Sequence, residues 1–163
     1  MRYAQLPDPA AVAYLDVRPG ELGEASHGTP ATWDLAGRCF SPSVTQIVSL
    51  AVLVPSWWGD TMTISLLLLS ADAGDTAWVY SNNAASQQIV TMPGSYGGRF
   101  VPVWTDVPIY STSPAGAAAP GWSFANLSFQ RQSDDEGDPP EQNPDDTCTS
   151  PVVVLGVRLS PGQ

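Results

Sequence analysis

The chain has 163 residues, of which 43% are hydrophobic and only 13% are charged. This length suits one domain with a buried core, and sixteen Pro and fourteen Gly exclude a helix-rich protein. The formal net charge of -10 argues against nucleic acid or an anionic membrane surface as a direct partner.

Residues 1–30 carry four Pro and only isolated apolar anchors, which predicts an extended N-terminal arm rather than a folded unit. Two alternatives stay open for this arm: a solvated leader, or a segment that is ordered by contact with a neighbouring subunit. The arm residues expected to contact a partner are Tyr3, Leu6, Tyr14 and Leu15. The segment has no apolar stretch behind basic residues, so we expect no signal peptide, and no apolar run is long enough to span a bilayer.

The stretch 59–82 carries the clearest strand pattern. Apolar side chains alternate along its first half, at Met62, Ile64, Leu66 and Leu68. A period of two is typical of a half-buried strand, and the turn-forming residues 70–75 then lead into a second strand with Trp78. We expect these two strands to pair as a hairpin.

The remaining strands are predicted around this hairpin. Residues 45–54 are apolar on both faces, which favours a strand that is covered on both sides, either in a sandwich interior or against another chain. The inward parity changes along residues 122–129, so a one-residue bulge is expected near Ala125 or Asn126. With a last strand over residues 151–159, the pattern predicts an all-β domain of about eight strands over residues 31–163, either a β-sandwich or a jelly roll.

Little in the sequence points to catalysis or to a metal. The only histidine, His27, lies in the arm, and Cys39 and Cys148 lack zinc-site spacing, although a bond between them stays open. Seven acidic residues and three Pro fall in the segment 132–147, which is expected to be a solvated loop, with a cation site left open. We therefore expect a non-enzymatic protein without a cofactor or a resident metal.

Six Trp residues divide into two groups. Four of them lie on or beside alternating strands and are expected in the core: Trp33, Trp78, Trp104 and Trp122. Trp57 and Trp58 are adjacent, so burial of one indole tends to expose the other. Either a partner subunit or a sugar ring is expected to cover the exposed one, and both residues are candidate partner contacts.

Two stretches together resemble the jelly-roll modules of virion proteins from tailed bacteriophages. The first is VPSWWGDTMTISLLLLSADAGDTAWVYSN, and the second joins LSFQRQSDDEGD, DDT and VVVLGVRLS. The resemblance covers about residues 41–160 and departs from the pattern in its longer acidic loop and its last strand, which lacks the usual aromatic residue.

The resemblance implies a structural protein on the virion surface, assembled in the bacterial cytoplasm and commonly trimeric. A capsid decoration protein comes first, with the major capsid protein or copies of itself as partners. The alternative is a carbohydrate-binding or receptor-binding module of a tail or head fibre, with an exposed Trp57 or Trp58 as the stacking platform.

Overall fold

The computed structural model consists almost entirely of β-strands and short connections. It describes residues 7–18, 23–24, 29–30, 32–34, 37–42, 46–59, 61–80, 87–96, 99–105, 107–110, 117–132 and 145–162. In chain order the elements are the 3-10 turn η1 (Pro9–Ala11), β1 (Leu15–Val17), β2 (Gly23–Glu24), β3 (Thr29–Pro30), β4 (Thr32–Asp34), β5 (Gly37–Phe40), β6 (Gln46–Pro55), the 3-10 turn η2 (Ser56–Trp58), β7 (Thr61–Ser70), β8 (Ala73–Tyr80), β9 (Gln87–Pro93), β10 (Ser95–Tyr96), β11 (Arg99–Phe100), β12 (Val103–Trp104), β13 (Val107–Tyr110), β14 (Ala117–Ala119), β15 (Trp122–Arg131) and β16 (Val152–Pro161).

The long strands form two antiparallel sheets with the strand order of a jelly roll. Neighbours in the first sheet are β5, β16, β7 and β13, and neighbours in the second are β6, β15, β8 and β9. The chain repeatedly crosses from one sheet to the other, as successive strands of a jelly roll do. The predicted all-β jelly-roll sandwich is therefore confirmed.

The core lies between the two sheets and uses the alternation seen in the sequence. Met62, Ile64, Leu66 and Leu68 are all fully buried on the inner face of β7. Phe40 of the first sheet meets Trp78 of the second edge to face, with ring centroids 5.1 Å apart. Burial of each large apolar side chain stabilises the fold by about 1.5–3 kcal/mol.

The predicted hairpin over residues 59–82 is wrong. β7 belongs to the first sheet and β8 to the second, and only Ala71 and Asp72 lie between them. A hairpin and a crossing between sheets both direct alternate side chains into the same core, so alternation cannot distinguish them. β7 and β8 instead pack face to face across that core.

The predicted bulge is also misplaced. β15 pairs with β6 without a register shift, from Trp122 opposite Pro55 to Arg131 opposite Gln46. The shift occurs in β16, between Val154 and Gly156. The bulge shifts the alternation by one residue, so that Val152 and Val154 before it and Val157 and Leu159 after it all face the core.

Arg131 and Asp146 form a buried ion pair between the sheets. Arg131 is fully buried and donates from Nε to Asp146 Oδ2 at 2.8 Å and from Nη2 to Oδ1 at 2.6 Å. Its other N–H groups donate to the carbonyl oxygens of Phe40, Cys148 and Ser150. The guanidinium thus joins the end of β15 to β5 and to the segment that precedes β16.

The expectation that the whole segment 132–147 is a solvated loop is wrong at Asp146. Its side chain is 1% exposed, and its Oδ2 also accepts from the Ala77 N–H at 3.2 Å. Residues 133–144 lie outside the described residues, so the expectation for them stays a prediction. The buried carboxylate is explained by Arg131, since a charge removed from water needs an opposite charge and hydrogen bonds.

Cys39 and Cys148 are not joined in a disulfide. Cys148 is buried where the segment before β16 passes β7, and its Sγ lies 3.2 Å from Ser70 Oγ. This thiol therefore acts as a small buried side chain with a weak hydrogen bond.

Loss of the buried pair should destabilise the fold strongly. Asp146→Ala leaves the Arg131 charge buried without its partner, which is expected to lower the free energy of unfolding by about 3–5 kcal/mol. The control is Asn126→Ala at an exposed position of β15, which is expected to change the free energy of unfolding by about 0.5 kcal/mol or less. Urea denaturation of both variants measures the difference, and equal losses would contradict the role of the pair.

Candidate functional site

The N-terminal arm is attached to the sandwich of its own chain. β1 pairs antiparallel with β16, with Leu15 opposite Leu159 and Val17 opposite Val157. On β16, β5 pairs with residues 152–154 alone. β1 pairs with residues 157–159, further along the same strand. Backbone pairing also joins β2 and β3 to β6. Contact of the arm with a neighbouring subunit stays a prediction, as does a domain boundary after residue 30.

The adjacent tryptophans lie against the arm. Trp58 is 5% exposed and Trp57 is 55% exposed, so one indole of the pair is buried and the other exposed, as expected. Trp58 Nε1 donates to the carbonyl of Val12 at 3.3 Å, and Trp57 Nε1 donates to that of Pro9 at 2.7 Å. Trp58 is therefore covered by its own chain, and Trp57 alone of the two presents a surface to a partner.

A second group, made of two aromatic side chains and an ion pair, lies on the outer face of the first sheet. We call it the outer cluster, and it consists of Tyr14, Asp16, Trp104 and Arg158. Asp16 lies directly opposite Arg158 across β1 and β16, and Arg158 donates from Nε and Nη2 to the two carboxylate oxygens at 2.7 and 3.1 Å. The guanidinium carbon lies 4.3 Å from the ring centroid of Tyr14 and 5.5 Å from that of Trp104.

The outer cluster is electrostatically balanced and open to solvent. The hydrogen bond from Arg158 is the main cause that lowers the pKa of Asp16, and the same contact raises the pKa of Arg158. Both residues therefore carry their charges at neutral pH, and these charges offset each other. The ring of Tyr14 is 52% exposed and that of Trp104 is 49% exposed.

The expectation that Trp104 belongs to the core is wrong. It lies on β12, a strand of only two residues, opposite Leu67 on the outer side of β7. Two residues are too few to show a periodicity, so the sequence carried no sign of the face on which the indole lies. Trp78 and Trp122 are buried as expected, while the Trp33 side chain lies outside the described part of the structure.

The outer face of the second sheet is more apolar. Phe124 on β15 is 45% exposed and lies opposite Leu53 on β6, which is half-buried. Ala51, two residues away on the same face of β6, is exposed. At these positions the single chain therefore leaves the outer face of β6 uncovered, and its cover by another chain stays a prediction.

The remaining candidate residues have mixed outcomes. Leu15 is half-buried beside the core and Tyr14 belongs to the outer cluster, whereas Tyr3 and Leu6 lie outside the described residues. Among the side chains that the structure describes, no group of three His, Cys, Asp or Glu could hold a metal ion. No helix in the described ranges has the length and apolar character needed to cross a membrane.

Attachment of the arm can be measured through Val17, which is 6% exposed. Val17→Ala removes two buried methyl groups and is expected to lower the free energy of unfolding by about 2 kcal/mol. Val101→Ala is the matched control because Val101 is 37% exposed. Chemical denaturation should detect no comparable loss in the control. A Val17 variant as stable as the parent would mean that the arm is a solvated leader.

The ion pair of the outer cluster predicts a pH dependence. Because the pKa of Asp16 is lowered in the folded state, the pair contributes stability above the unfolded pKa of 3.8, and this contribution is lost as the pH falls through the lower folded value. Carboxyl NMR titration of the Asp16 side chain should show a pKa below that of an unfolded chain. Arg158→Gln should raise it, and an unchanged titration curve would contradict the pairing.

Comparison with known proteins finds likenesses among solved structures alone. No protein-family model matches the chain, and the search of curated proteins finds no match. Among solved structures, the chain is similar to CBM35 from Cellvibrio japonicus Abf62, with a TM-score of 0.46 and 8% sequence identity over 93% of this chain and 95% of that chain.

Proposed function

We propose that this chain is a non-catalytic structural protein on the surface of a tailed-phage particle, and that it decorates the head. The observation that carries the proposal is the buried Arg131–Asp146 pair. It connects the two halves of the motif that resembles virion jelly rolls, the Arg that ends one strand and the Asp-Asp-Thr that follows the acidic loop.

The other stretch that carries the resemblance also falls on residues that build the sandwich. The alternating strand is β7, the Ala-Gly-Asp turn begins β8, and the Trp of the motif is the buried Trp78. The resemblance therefore concerns residues with a clear structural task. This supports the proposal, although a shared fold by itself assigns no function.

The outer face of the second sheet is the surface that we propose contacts the capsid or another copy of the chain. Phe124, Leu53 and Ala51 form a strip of apolar side chains on adjacent strands. Exposed apolar surface of this kind commonly marks a protein interface. A homotrimer would cover part of it, and the major capsid protein would cover the rest.

Capsids that lack this protein provide the test. The purified full chain is expected to sediment with such capsids, and Phe124→Glu is expected to weaken that association at least about tenfold, because it would desolvate a charge in the interface. Val101→Glu is the control, since Val101 is 37% exposed and precedes β12 of the other sheet. Absence of the protein from purified particles by mass spectrometry would refute the proposal.

Carbohydrate binding is the second candidate function, as a module of a fibre. Exposed aromatic rings favour it, because Tyr14, Trp57 and Trp104 are each about half exposed or more. An aromatic ring held in a fixed orientation on a sheet can stack on the apolar face of a sugar.

A further inference from the structure

We propose that the outer cluster is a binding site for a neutral oligosaccharide. This inference rests on the second candidate function and assigns its site to Tyr14, Asp16, Trp104 and Arg158. It places the site on the opposite sheet from Phe124 and away from Trp57, one of the two platforms considered from the sequence.

The ion pair of Arg158 and Asp16 supplies hydrogen-bonding groups for a ligand. Arg158 uses Nε and one N–H of Nη2 on Asp16, and its Nη1 makes no hydrogen bond with any described residue. The side chains of Arg158 and Asp16 are 42% and 56% exposed. A sugar hydroxyl both donates and accepts, so it can donate to the carboxylate while a neighbouring hydroxyl accepts from the guanidinium.

Two aromatic rings lie beside these hydrogen-bonding groups. Tyr14 and Trp104 lie on either side of the guanidinium, which holds both rings through cation–π contacts. Rings that are already held in place lose little conformational entropy when a ligand stacks on them. The indole N–H of Trp57 already donates to Pro9, so Trp57 offers a ring face to a ligand but not this hydrogen-bond donor.

The surface near the aromatic side chains is open at Gly156. Gly156 lies opposite Leu67, which in turn lies opposite Trp104, and a Cβ on Gly156 would meet nothing within 4 Å. The backbones of Asp16 and Trp104 are three strand spacings apart, but their side chains converge on Arg158, whose guanidinium carbon lies 4.3 Å from the ring centroid of Tyr14 and 5.5 Å from that of Trp104. The cluster therefore suits one or two sugar units of an oligosaccharide.

The charge of the cluster selects a neutral ligand. Asp16 offsets the charge of Arg158, so the cluster offers no net positive charge to an anion. The chain as a whole has a formal net charge of -10, which repels acidic polymers. The mixture of charged and aromatic groups also differs from the apolar strip that we propose for a protein partner.

A glycan array followed by calorimetry tests the assignment. The full chain is applied to printed neutral and acidic bacterial oligosaccharides, and binding to a neutral one is expected. Trp104→Ala should weaken binding of the best neutral oligosaccharide about tenfold, because an aromatic stacking partner is lost. Asp16→Asn should weaken it as well, since the amide cannot hold both guanidinium N–H groups.

Two controls make the outcome decisive. Phe124→Ala removes a comparably exposed ring from the other sheet and should leave oligosaccharide affinity unchanged. The assignment would be overturned if the chain bound no neutral oligosaccharide or bound acidic oligosaccharides alone. It would also be overturned if Trp57→Ala lost binding while Trp104→Ala kept it. Capsid association of Trp104→Ala is measured in parallel, so failure of this inference is distinguishable from failure of the proposed head decoration.

Discussion

The fold depends on one guanidinium group held out of water. Arg131 has five N–H donors, and each of them has an acceptor on Asp146 or on a backbone carbonyl. These acceptors come from β5 and from the segment before β16, whereas Arg131 itself ends β15. A buried charge tolerates no missing partner, so the same contact determines where three separate parts of the chain must meet.

Because this contact is buried inside the fold, the two outer faces of the sandwich can carry different side chains. The face built by β1, β16, β7 and β12 presents aromatic rings around a neutralised ion pair. The face built by β6 and β15 presents a strip of apolar side chains. A protein that attaches to a large assembly on one side and meets a soluble ligand on the other would need two faces of this kind.

The sequence predicted the fold class and much of the core, because the inner face of a sandwich imposes an apolar period of two. It could not predict the crossing from β7 to β8, since a hairpin produces the same alternation. Asp146 was misassigned because acidic residues around Pro are usually solvated, and its partner Arg131 is fifteen positions away. The strand-ending Arg followed by Asp-Asp-Thr was the signal that could have revealed the pair.

The outer cluster was beyond sequence reasoning for a related reason. Asp16 and Arg158 are 142 positions apart, and only the pairing of β1 with β16 brings them together. Tyr14 and Leu15 were predicted as anchors to a partner because an arm with isolated apolar residues has no core of its own. In the structure they attach to the sandwich of the same chain, and their contact with a partner stays a prediction.

The irregularity between Val154 and Gly156 has a consequence for how this protein can change. If β16 paired regularly at that point, without the bulge and with all its residues kept, every later side chain of the strand would switch sides. Arg158 would then face the hydrophobic interior, and Val157 and Leu159 would face water. Evolution can therefore vary the chemistry of this face by substitution, or lose the extra residue of the bulge, without exposing the core side chains. A single-codon deletion elsewhere in β16 would exchange the inside and outside of the part of the strand that follows it.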